Sequence, residues 1–197
     1  FKFIGPSSNH IKLMGDKIAA KAAMKEAGIP VVPGSYGEVN NYDDGSKIAS
    51  KIGYPIIIKA AAGGGGRGMR IVEHSSKLQK ALKLTSGEAL STFGDSAVYI
   101  EKFLPGPRHI EVQILADHHG NVVHLGERDC SLQRRHQKVL EEAPSPALSN
   151  DQRATIGKIV SDSIKKIGYT SVGTIEFLFE NGQFYFIEMN TRLQVEH

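Results

Sequence analysis

The stretch SVGTIEFLFENGQFYFIEMN, residues 171–190, carries the clearest fold signal of this chain. Two segments rich in β-branched and aromatic residues lie on either side of the turn-forming pair Asn181-Gly182. That pattern predicts a β-hairpin with strands over Ser171–Glu180 and 183–189. Because a hairpin joins antiparallel strands, it argues against a doubly wound parallel sheet.

Outward from this hairpin, apolar patterns predict further elements, and together they indicate an α+β fold. A strand over 108–117 is expected to be half-buried, with Ile110, Val112 and Ile114 on its inner face. Residues 129–148 are interpreted as irregular and polar. The other strands are predicted over 55–60, 69–73, 97–103 and 122–127, and the helices over 10–27, 43–53, 75–90 and 149–166.

Two carboxylates, Glu176 and Glu188, stand inside the apolar strands of the first hairpin. A buried carboxylate is costly unless it is paired or bound to a metal ion, and Mg²⁺ prefers oxygen ligands. A two-residue turn alone would place Glu176 opposite Ile187 and leave Glu188 on the other face. The metal hypothesis therefore predicts an odd loop or a β-bulge that brings both acids to one face. The alternative is that both acids pair with Arg or Lys side chains.

A glycine-rich segment, residues 63–68, lies between two predicted strands and follows Lys59. Since a strand comes after the glycines, the segment is not a dinucleotide-binding fingerprint, which opens a helix, and it is not a Walker A loop because no Gly-Lys-Ser/Thr follows. A strand, a glycine loop and a strand indicate a flap over phosphates, with the lysine adding a positive charge. The alternative is a mobile surface loop.

Two polar clusters occupy the second half of the chain. The run QRRHQK, residues 133–138, is either a solvated loop or a set of donors for anionic ligands. Near the end of the chain, Arg192 offers a planar fork for an oxyanion, and Glu196 is a general base or the salt-bridge partner of that arginine. Cys130 is interpreted as structural, and His118-His119 as an exposed turn rather than a metal site.

The composition excludes several classes of protein. The 197 residues are 40% apolar, and no apolar run approaches the ~20 residues of a membrane helix. The formal net charge of +3 is too weak to indicate nucleic-acid binding, and a single cysteine excludes a disulfide framework and fits a reducing compartment. Because the chain starts at Phe1 and stops at His197 beside its densest polar cluster, we expect it to be part of a longer protein.

Taken together and in order, the motifs resemble the ATP-grasp region of biotin carboxylase, the carboxylating component of acetyl-CoA carboxylase and its relatives. The resemblance covers essentially all 197 residues. The final motif and the QRRHQK run separate this family from other ATP-grasp ligases. The motifs are MGDK (14–17), IIK (57–59) with the glycine segment, EKFL (101–104), PRHIE (107–111), ERDCS (127–131) with QRRHQK, and EMNTRLQVEH (188–197).

The resemblance implies the ATP-grasp fold, with a small lid domain and part of a larger antiparallel-sheet domain. Residues 1–30 would be a connecting helix after an N-terminal subdomain that this chain lacks, 31–103 the lid, and 104–197 the first part of the carboxylase domain. The family also uses an arginine beyond His197 to stabilise the biotin enolate, so the chain alone is expected to be inactive.

The resemblance also implies residue roles. Glu196 would be the base that deprotonates bicarbonate, with Arg192 and Lys138 also catalytic. Bicarbonate would be bound by Lys138, Arg192, Gln194, Val195 and Glu196. Mg²⁺ or Mn²⁺, at two sites, would be held by Glu176, Glu188 and Asn190. ATP would be bound by Lys17, Lys59, Gly63, Gly64, Gly65, Gly66, Gly68, Met69, Glu101, Lys102, Leu104, His109, Gln133, His136 and Leu178.

The implied reaction begins when bicarbonate attacks the γ-phosphate of MgATP to give carboxyphosphate. The CO₂ it releases then carboxylates N1′ of biotin on a biotin carboxyl carrier protein. Positioning and charge neutralisation dominate phosphoryl transfer, which suits lysines, an arginine and a metal ion. The residues of the Asp-Cys-Ser and Arg-Arg-His-Gln-Lys motifs resemble those of the bacterial acetyl-CoA carboxylase subunit, which implies a role in fatty acid biosynthesis.

The partners implied are the carrier protein, a carboxyltransferase component and a second copy of the full-length protein, with no nucleic acid and no membrane. The implied location is the bacterial cytoplasm, or alternatively the mitochondrial matrix. Two other functions stay open. One is another ATP-grasp ligase, such as a carbamoyl phosphate synthetase half, and the other is a nucleotide-binding module without turnover.

Overall fold

The computed structural model describes residues 1, 3–35, 37–62, 67–135 and 137–195. They form helices and two antiparallel sheets, so the prediction of an α+β fold is confirmed. The helices are α1 (Ser8–Gly15), α2 (Lys17–Ala27), α3 (Tyr42–Ile52), α4 (Leu78–Phe93) and α5 (Asn150–Lys166). The strands are β1 (Ile56–Ala60), β2 (Met69–Val72), β3 (Val98–Lys102), β4 (Arg108–Ala116), β5 (Val122–Arg134), β6 (Gln137–Glu142), β7 (Ser171–Glu180) and β8 (Gln183–Asn190).

The chain divides into two compact units. The larger combines Phe1–Val31 with Gly106–His197, and the smaller is Val32–Pro105. Within the described residues, none of the helices has both the length and the apolar character needed to cross a membrane.

The smaller unit is a three-stranded sheet in the order β2-β1-β3 with α3 and α4 packed on it. Alternate residues of β1 are buried, and Ile56 and Ile58 enter a core that also contains Ile100 and Leu78. The β-branched run of β1 forms the centre of the sheet because its side chains fill this core from the pleated backbone.

The larger unit is a five-stranded sheet in the order β6-β5-β4-β7-β8. Its apolar face packs against α1, α2 and α5, with Phe177, Phe186 and Val160 fully buried between them. Helix α5 begins with a capping box in which Ser149 and Gln152 satisfy each other's backbone N–H groups.

Three sequence predictions about the larger unit are wrong in detail. The single helix over 10–27 is two helices, because Asp16 leaves helical geometry and accepts hydrogen bonds from the first N–H groups of α2. The irregular segment 129–148 begins with a second hairpin, formed by the end of β5 and by β6. The centre of strand β4 is buried on both faces, because Glu111 and Gln113 are as closed to water as its isoleucines.

The β7–β8 hairpin has the geometry that the metal hypothesis requires. Its turn is Asn181-Gly182, both with positive φ, and Glu180 pairs with Gln183. The register then shifts, so that Phe177 pairs with Phe186 while Glu176 pairs with Glu188. Ile187 is therefore the extra residue of a β-bulge, and the prediction of a bulge is confirmed.

Candidate functional site

One row of charged residues crosses four strands of the five-stranded sheet. Arg128 on β5 pairs with Glu111 on β4, Glu111 pairs with Glu176 on β7, and Glu176 pairs with Glu188 on β8. Directly paired residues of antiparallel strands project from the same face, so this face carries a line of ionic groups. Sequence reasoning missed Glu111 and Arg128, although an acid between Ile110 and Val112 repeats the pattern that singled out Glu176.

Glu176 is almost fully buried and has three partners. Its Oε2 lies 2.5 Å from Nε2 of His109, and its Oε1 accepts from Nδ2 of Asn190 at 2.5 Å and from Nζ of Lys138 at 3.4 Å. Burial alone would raise the pKa of Glu176, but the hydrogen bond from His109 and the charge of Lys138 lower it to about 2. The carboxylate is therefore ionised at neutral pH.

Glu111 is fully buried between two cations. Its Oε1 accepts from Nε of Arg128 at 2.6 Å, and its Oε2 accepts from Nζ of Lys138. Burial would lower the pKa of Lys138, but its bond to Glu111 and the charge of Glu176 raise it well above the ordinary value. Lys138 is therefore held as a permanent ammonium, the form that binds an anion.

His109 and Gln133 are both predicted to bind ATP; His109 contacts Glu176, and Gln133 contacts His109. Nε2 of Gln133 donates to Nδ1 of His109 at 2.9 Å and to the carbonyl of Cys130 at 2.8 Å. Because Nδ1 accepts, Nε2 of His109 carries the proton that it shares with Glu176. Leu178 is paired with His109 across β4 and β7 and is half-buried.

The predicted metal ligands meet at the bulge. Asn190 donates its amide to Glu176, which leaves its carbonyl oxygen for a cation, and Glu188 stands opposite Glu176. This all-oxygen set suits Mg²⁺. In this structure Glu188 pairs with Lys17 at 3.0 Å, and Glu176 pairs with Lys138, as the alternative interpretation expected. Among the described residues, Glu176 also lies close to His109 and Glu111, with ligand atoms within 4.8 Å of one another.

The segment after β8 reaches this network through one side chain. Gln194 is 4% exposed, and its Oε1 accepts from Nη2 of Arg128 at 2.5 Å. Arg192 is exposed and donates to the carbonyl of Leu193, and Val195 is fully exposed. The structure thus brings Gln194, but not the Arg192 guanidinium, to the charged row. The predicted base Glu196 and the predicted ATP ligand His136 lie outside the described residues.

The smaller unit carries the other predicted nucleotide residues. Nζ of Lys59 lies 2.6 Å from Oε2 of the buried Glu101, and Lys59 pairs with Met69 in the sheet. The ammonium of Lys102 donates to the carbonyls of Gly53 and Tyr54 at 3.1 and 3.0 Å, so that side chain has a structural role.

The flap glycines can be placed only at their C-terminal end. Gly68 has a φ of +66° and its carbonyl accepts from Ala60 N–H, which joins the end of the flap to β1. Leu104, after β3, is half-buried. The glycines predicted to cover phosphates, Gly63, Gly64, Gly65 and Gly66, lie outside the described residues.

Two features have the structural roles expected for them. Cys130 is fully buried, and burial together with the nearby charge of Glu111 raises the pKa of its thiol, which disfavours the nucleophilic thiolate. His118 and His119 are exposed in a turn where Asp117 accepts from the N–H groups of His119 and Asn121.

Comparison with known proteins points to one family. The family model described as "Carbamoyl-phosphate synthase L chain, ATP binding domain" matches residues 16–197. A protein named biotin carboxylase from Haemophilus influenzae is 57% identical over 198 residues, which cover 100% of this chain and 44% of that protein. The crystal structure of a biotin carboxylase–beta-gamma-ATP complex from Campylobacter jejuni has a TM-score of 0.94 and 54% identity, over 100% of this chain and 44% of that chain.

A second solved structure shows the ligands of a related domain. It is the biotin carboxylase domain dimer of the Hydrogenobacter thermophilus 2-oxoglutarate carboxylase, in complex with MgADP, ADP and bicarbonate. Its TM-score is 0.92 and its identity 51%, over 99% of this chain and 43% of that chain. The chain thus spans less than half the length of the relatives that it matches.

Proposed function

Because the chain belongs to the family of carbamoyl-phosphate synthase L chain ATP-binding domains, we propose that it is the ATP-binding part of a biotin carboxylase. The protein that contains it would carboxylate biotin with bicarbonate and MgATP. The observation that carries this proposal is the bulge that pairs Glu176 with Glu188 beside the ammonium of Lys138. A row with two carboxylates and a held cation can bind both a metal–nucleotide complex and a small anion.

Residues of both units support nucleotide binding. In the larger unit, His109 and Gln133 offer a linked pair of polar groups next to Glu176, and Lys17 places an ammonium at Glu188. In the smaller unit, Lys59 holds its ammonium in place through Glu101. Positively charged groups of this kind stabilise the phosphates of ATP during transfer. The related Campylobacter and Hydrogenobacter structures contain ATP- and ADP-type ligands, which agrees with this assignment.

A divalent cation, Mg²⁺ or Mn²⁺, would be held by Glu176, Glu188 and Asn190. When bound, it would neutralise charge on the phosphates. The fit rests on three oxygen donors of one hairpin, two of them carboxylates at directly paired positions. The ammonium groups of Lys17 and Lys138 lie 3.0 and 3.4 Å from the carboxylates of Glu188 and Glu176.

Bicarbonate would be bound by Lys138, Gln194, Arg192 and the backbone at Val195, with Glu196 as the base. Lys138 supplies a fixed positive charge, since Glu111 and Glu176 keep it protonated. Gln194 supplies an amide donor from a buried position. Glu196 would deprotonate bicarbonate, and the deprotonated bicarbonate would attack the γ-phosphate of ATP to give carboxyphosphate and ADP.

The acceptor would be biotin on a carrier protein, and we propose acetyl-CoA carboxylase, in fatty acid synthesis, as the holoenzyme. The ERDCS and QRRHQK motifs favour this choice, whereas the Hydrogenobacter relative belongs to a 2-oxoglutarate carboxylase. The full-length protein would then act as a dimer with a carboxyltransferase component in the bacterial cytoplasm. The holoenzyme can be identified by adding the carboxylated carrier protein to purified carboxyltransferases. The acceptor that becomes carboxylated, acetyl-CoA, pyruvate or 2-oxoglutarate, shows which carboxylase the protein belongs to.

The test is ADP release by the natural-length protein from MgATP and bicarbonate, with and without free biotin. We expect biotin to raise the rate, and Glu196→Ala to lower it by at least a hundredfold. Glu142→Gln, a change at an exposed glutamate of β6, is the control and should keep the rate within twofold. A rate that does not respond to biotin would contradict the proposal and leave an ATP-grasp ligase with another acceptor.

A further inference from the structure

Arg128 is the one member of the charged row that the proposed reaction does not use. Its side chain is 7% exposed and its main partner, Glu111, is fully buried. A buried ion pair of this kind is seldom more stable than an apolar pair of the same volume, because both charges lose their hydration. Stability alone is therefore a weak reason for an arginine at this position.

The guanidinium of Arg128 connects two groups that the proposed function assigns to bicarbonate. Its Nε donates to Oε1 of Glu111, whose other oxygen holds the ammonium of Lys138. Its Nη2 donates to Oε1 of Gln194 at 2.5 Å. The rigid fork of an arginine can serve both partners at once, which a lysine ammonium cannot do with the same geometry.

The contact with Gln194 fixes which end of its carboxamide is available. A guanidinium has donors only, so it must face the carbonyl oxygen of the glutamine. The Nε2 group, with two N–H donors, then faces away from Arg128. An anion such as bicarbonate needs donors, so this orientation is the one that suits it.

The same contact anchors the segment that follows β8. Gln194 is buried, while Arg192, Leu193 and Val195 around it are exposed. Arg192 and Val195 are two of the residues proposed to bind bicarbonate. Their positions relative to Lys138 therefore depend on where Arg128 holds Gln194.

We propose that Arg128 is a positioning residue for bicarbonate. It orients the carboxamide of Gln194 as a donor and aligns the segment 191–195 with Lys138 through Glu111. The inference rests on the proposed function, because it concerns the bicarbonate of that same reaction. It predicts an effect on the use of bicarbonate and none on the use of ATP.

The experiment measures ADP release by the natural-length protein in the presence of biotin, with bicarbonate and MgATP varied in turn. Arg128→Lys keeps the charge next to Glu111 but loses the fork. We expect it to raise KM for bicarbonate at least tenfold and to leave KM for MgATP within twofold. Arg153→Lys, which alters a partly buried arginine–glutamate pair in the same unit, is the control and should change neither.

Two further variants separate positioning from a loss of structure. Gln194→Glu keeps an acceptor for Arg128 but replaces the amide donor, so we expect a folded protein with KM for bicarbonate raised as in Gln194→Ala. In the Gln194→Ala background, Arg128→Lys should add less than a twofold effect on that KM, because both changes remove the same interaction.

The outcomes distinguish the two proposals. An unchanged KM for bicarbonate in Arg128→Lys or in Gln194→Glu overturns the role of Arg128. The role is also overturned if KM for bicarbonate in the double variant rises by the product of the effects of Arg128→Lys and Gln194→Ala alone. A wild-type protein whose ADP release does not depend on bicarbonate overturns the proposed function and the role of Arg128 with it.

Discussion

Strands β4 and β7 lie side by side in the five-stranded sheet, and both faces of their central residues, 110–114 and 173–177, are closed to water. One face packs on helices, and the other faces the ion pairs of the candidate site. On both faces, the side chains named next are at most 5% exposed. The apolar face carries Val112, Ile114, Ile175 and Phe177, and the polar face carries Glu111, Gln113, Thr174 and Glu176.

The two faces are held by different physics. On the apolar face, transfer of side chains from water stabilises the fold without regard to direction. On the polar face, every group needs a partner of the right kind at the right distance, and an orphaned partner is costly. The two faces are therefore equally buried but differ in what their contacts do: the apolar face stabilises the fold through burial, and the polar face holds polar and charged groups in fixed positions.

The largest expected effect is on the apolar face. Phe177→Ala should lower the free energy of unfolding by about 3–5 kcal/mol, because it removes a fully buried ring and leaves a cavity. Urea denaturation measures the change. The control Leu132→Ala, at a side chain 59% exposed, should cost below about 0.5 kcal/mol. Similar losses for the two variants would contradict the assignment of Phe177 to the core.

The next effect breaks the polar face by removing one charge. Glu111→Gln should lower the free energy of unfolding by about 3 kcal/mol, since Arg128 and Lys138 then lack their shared buried carboxylate. Thermal and urea denaturation measure it. Glu142→Gln, at an exposed glutamate, is the matched control and should change stability by less than about 0.5 kcal/mol. An unfolding free energy equal to that of the control would mean that the row is not held by ion pairing.

A third test uses pH to separate the faces. The folded-state pKa of Glu176 is about 2, below the ordinary value of 4.5. Its ionised form therefore stabilises the fold above pH 4.5, and this contribution is lost as the pH falls toward 2. Between pH 7 and pH 3 the stability advantage of the wild type over Glu176→Gln should shrink by about 2 kcal/mol.

Denaturation at several pH values measures this change, and Phe177→Ala is the comparison. The difference in the free energy of unfolding between Phe177→Ala and the wild type should stay constant with pH, because no titrating group is altered. A wild-type advantage over Glu176→Gln that is the same at both pH values would contradict the depressed pKa.

The smallest effects come from a pair of exchanges of similar shape on the two faces. Thr174→Val removes a hydroxyl that donates to Gln113 at 2.8 Å and should cost about 1 kcal/mol. Val112→Thr puts a hydroxyl among apolar side chains with no partner and should cost about 2 kcal/mol. Urea denaturation of both variants shows which one loses more stability. A larger loss for Thr174→Val than for Val112→Thr would show that the faces are not distinct in polarity.

Much of the fold follows from the sequence where apolar side chains set the pattern. The strands of residues 171–190 and their two-residue turn could be predicted from β-branched and aromatic residues around Asn181-Gly182. The bulge at Ile187 could be inferred because Glu176 and Glu188 had to share a face. In both cases a physical requirement acts on residues close together in the chain.

Of the polar face, only Glu176 was recognised from the sequence, and its neighbours Glu111, Gln113 and Thr174 were not. Hydrophobic alternation along β4 implies that Glu111 faces water, and only its contacts with Arg128 and Lys138 reveal that it is buried. The β5–β6 hairpin was missed for the same reason, since it is stabilised by polar partners from other strands. The helix break at Asp16 was missed because a capping aspartate and an aspartate inside a helix look alike in sequence.

The most direct test of the account is transfer of labelled carbon from bicarbonate to biotin by the natural-length protein. The polar face is proposed to bind MgATP and bicarbonate, so we expect label in biotin only when MgATP is present. About one ADP should be released for each biotin that is carboxylated. ADP release without any label in biotin would contradict the account. It would leave the row from Arg128 to Glu188 as a nucleotide site serving a different reaction.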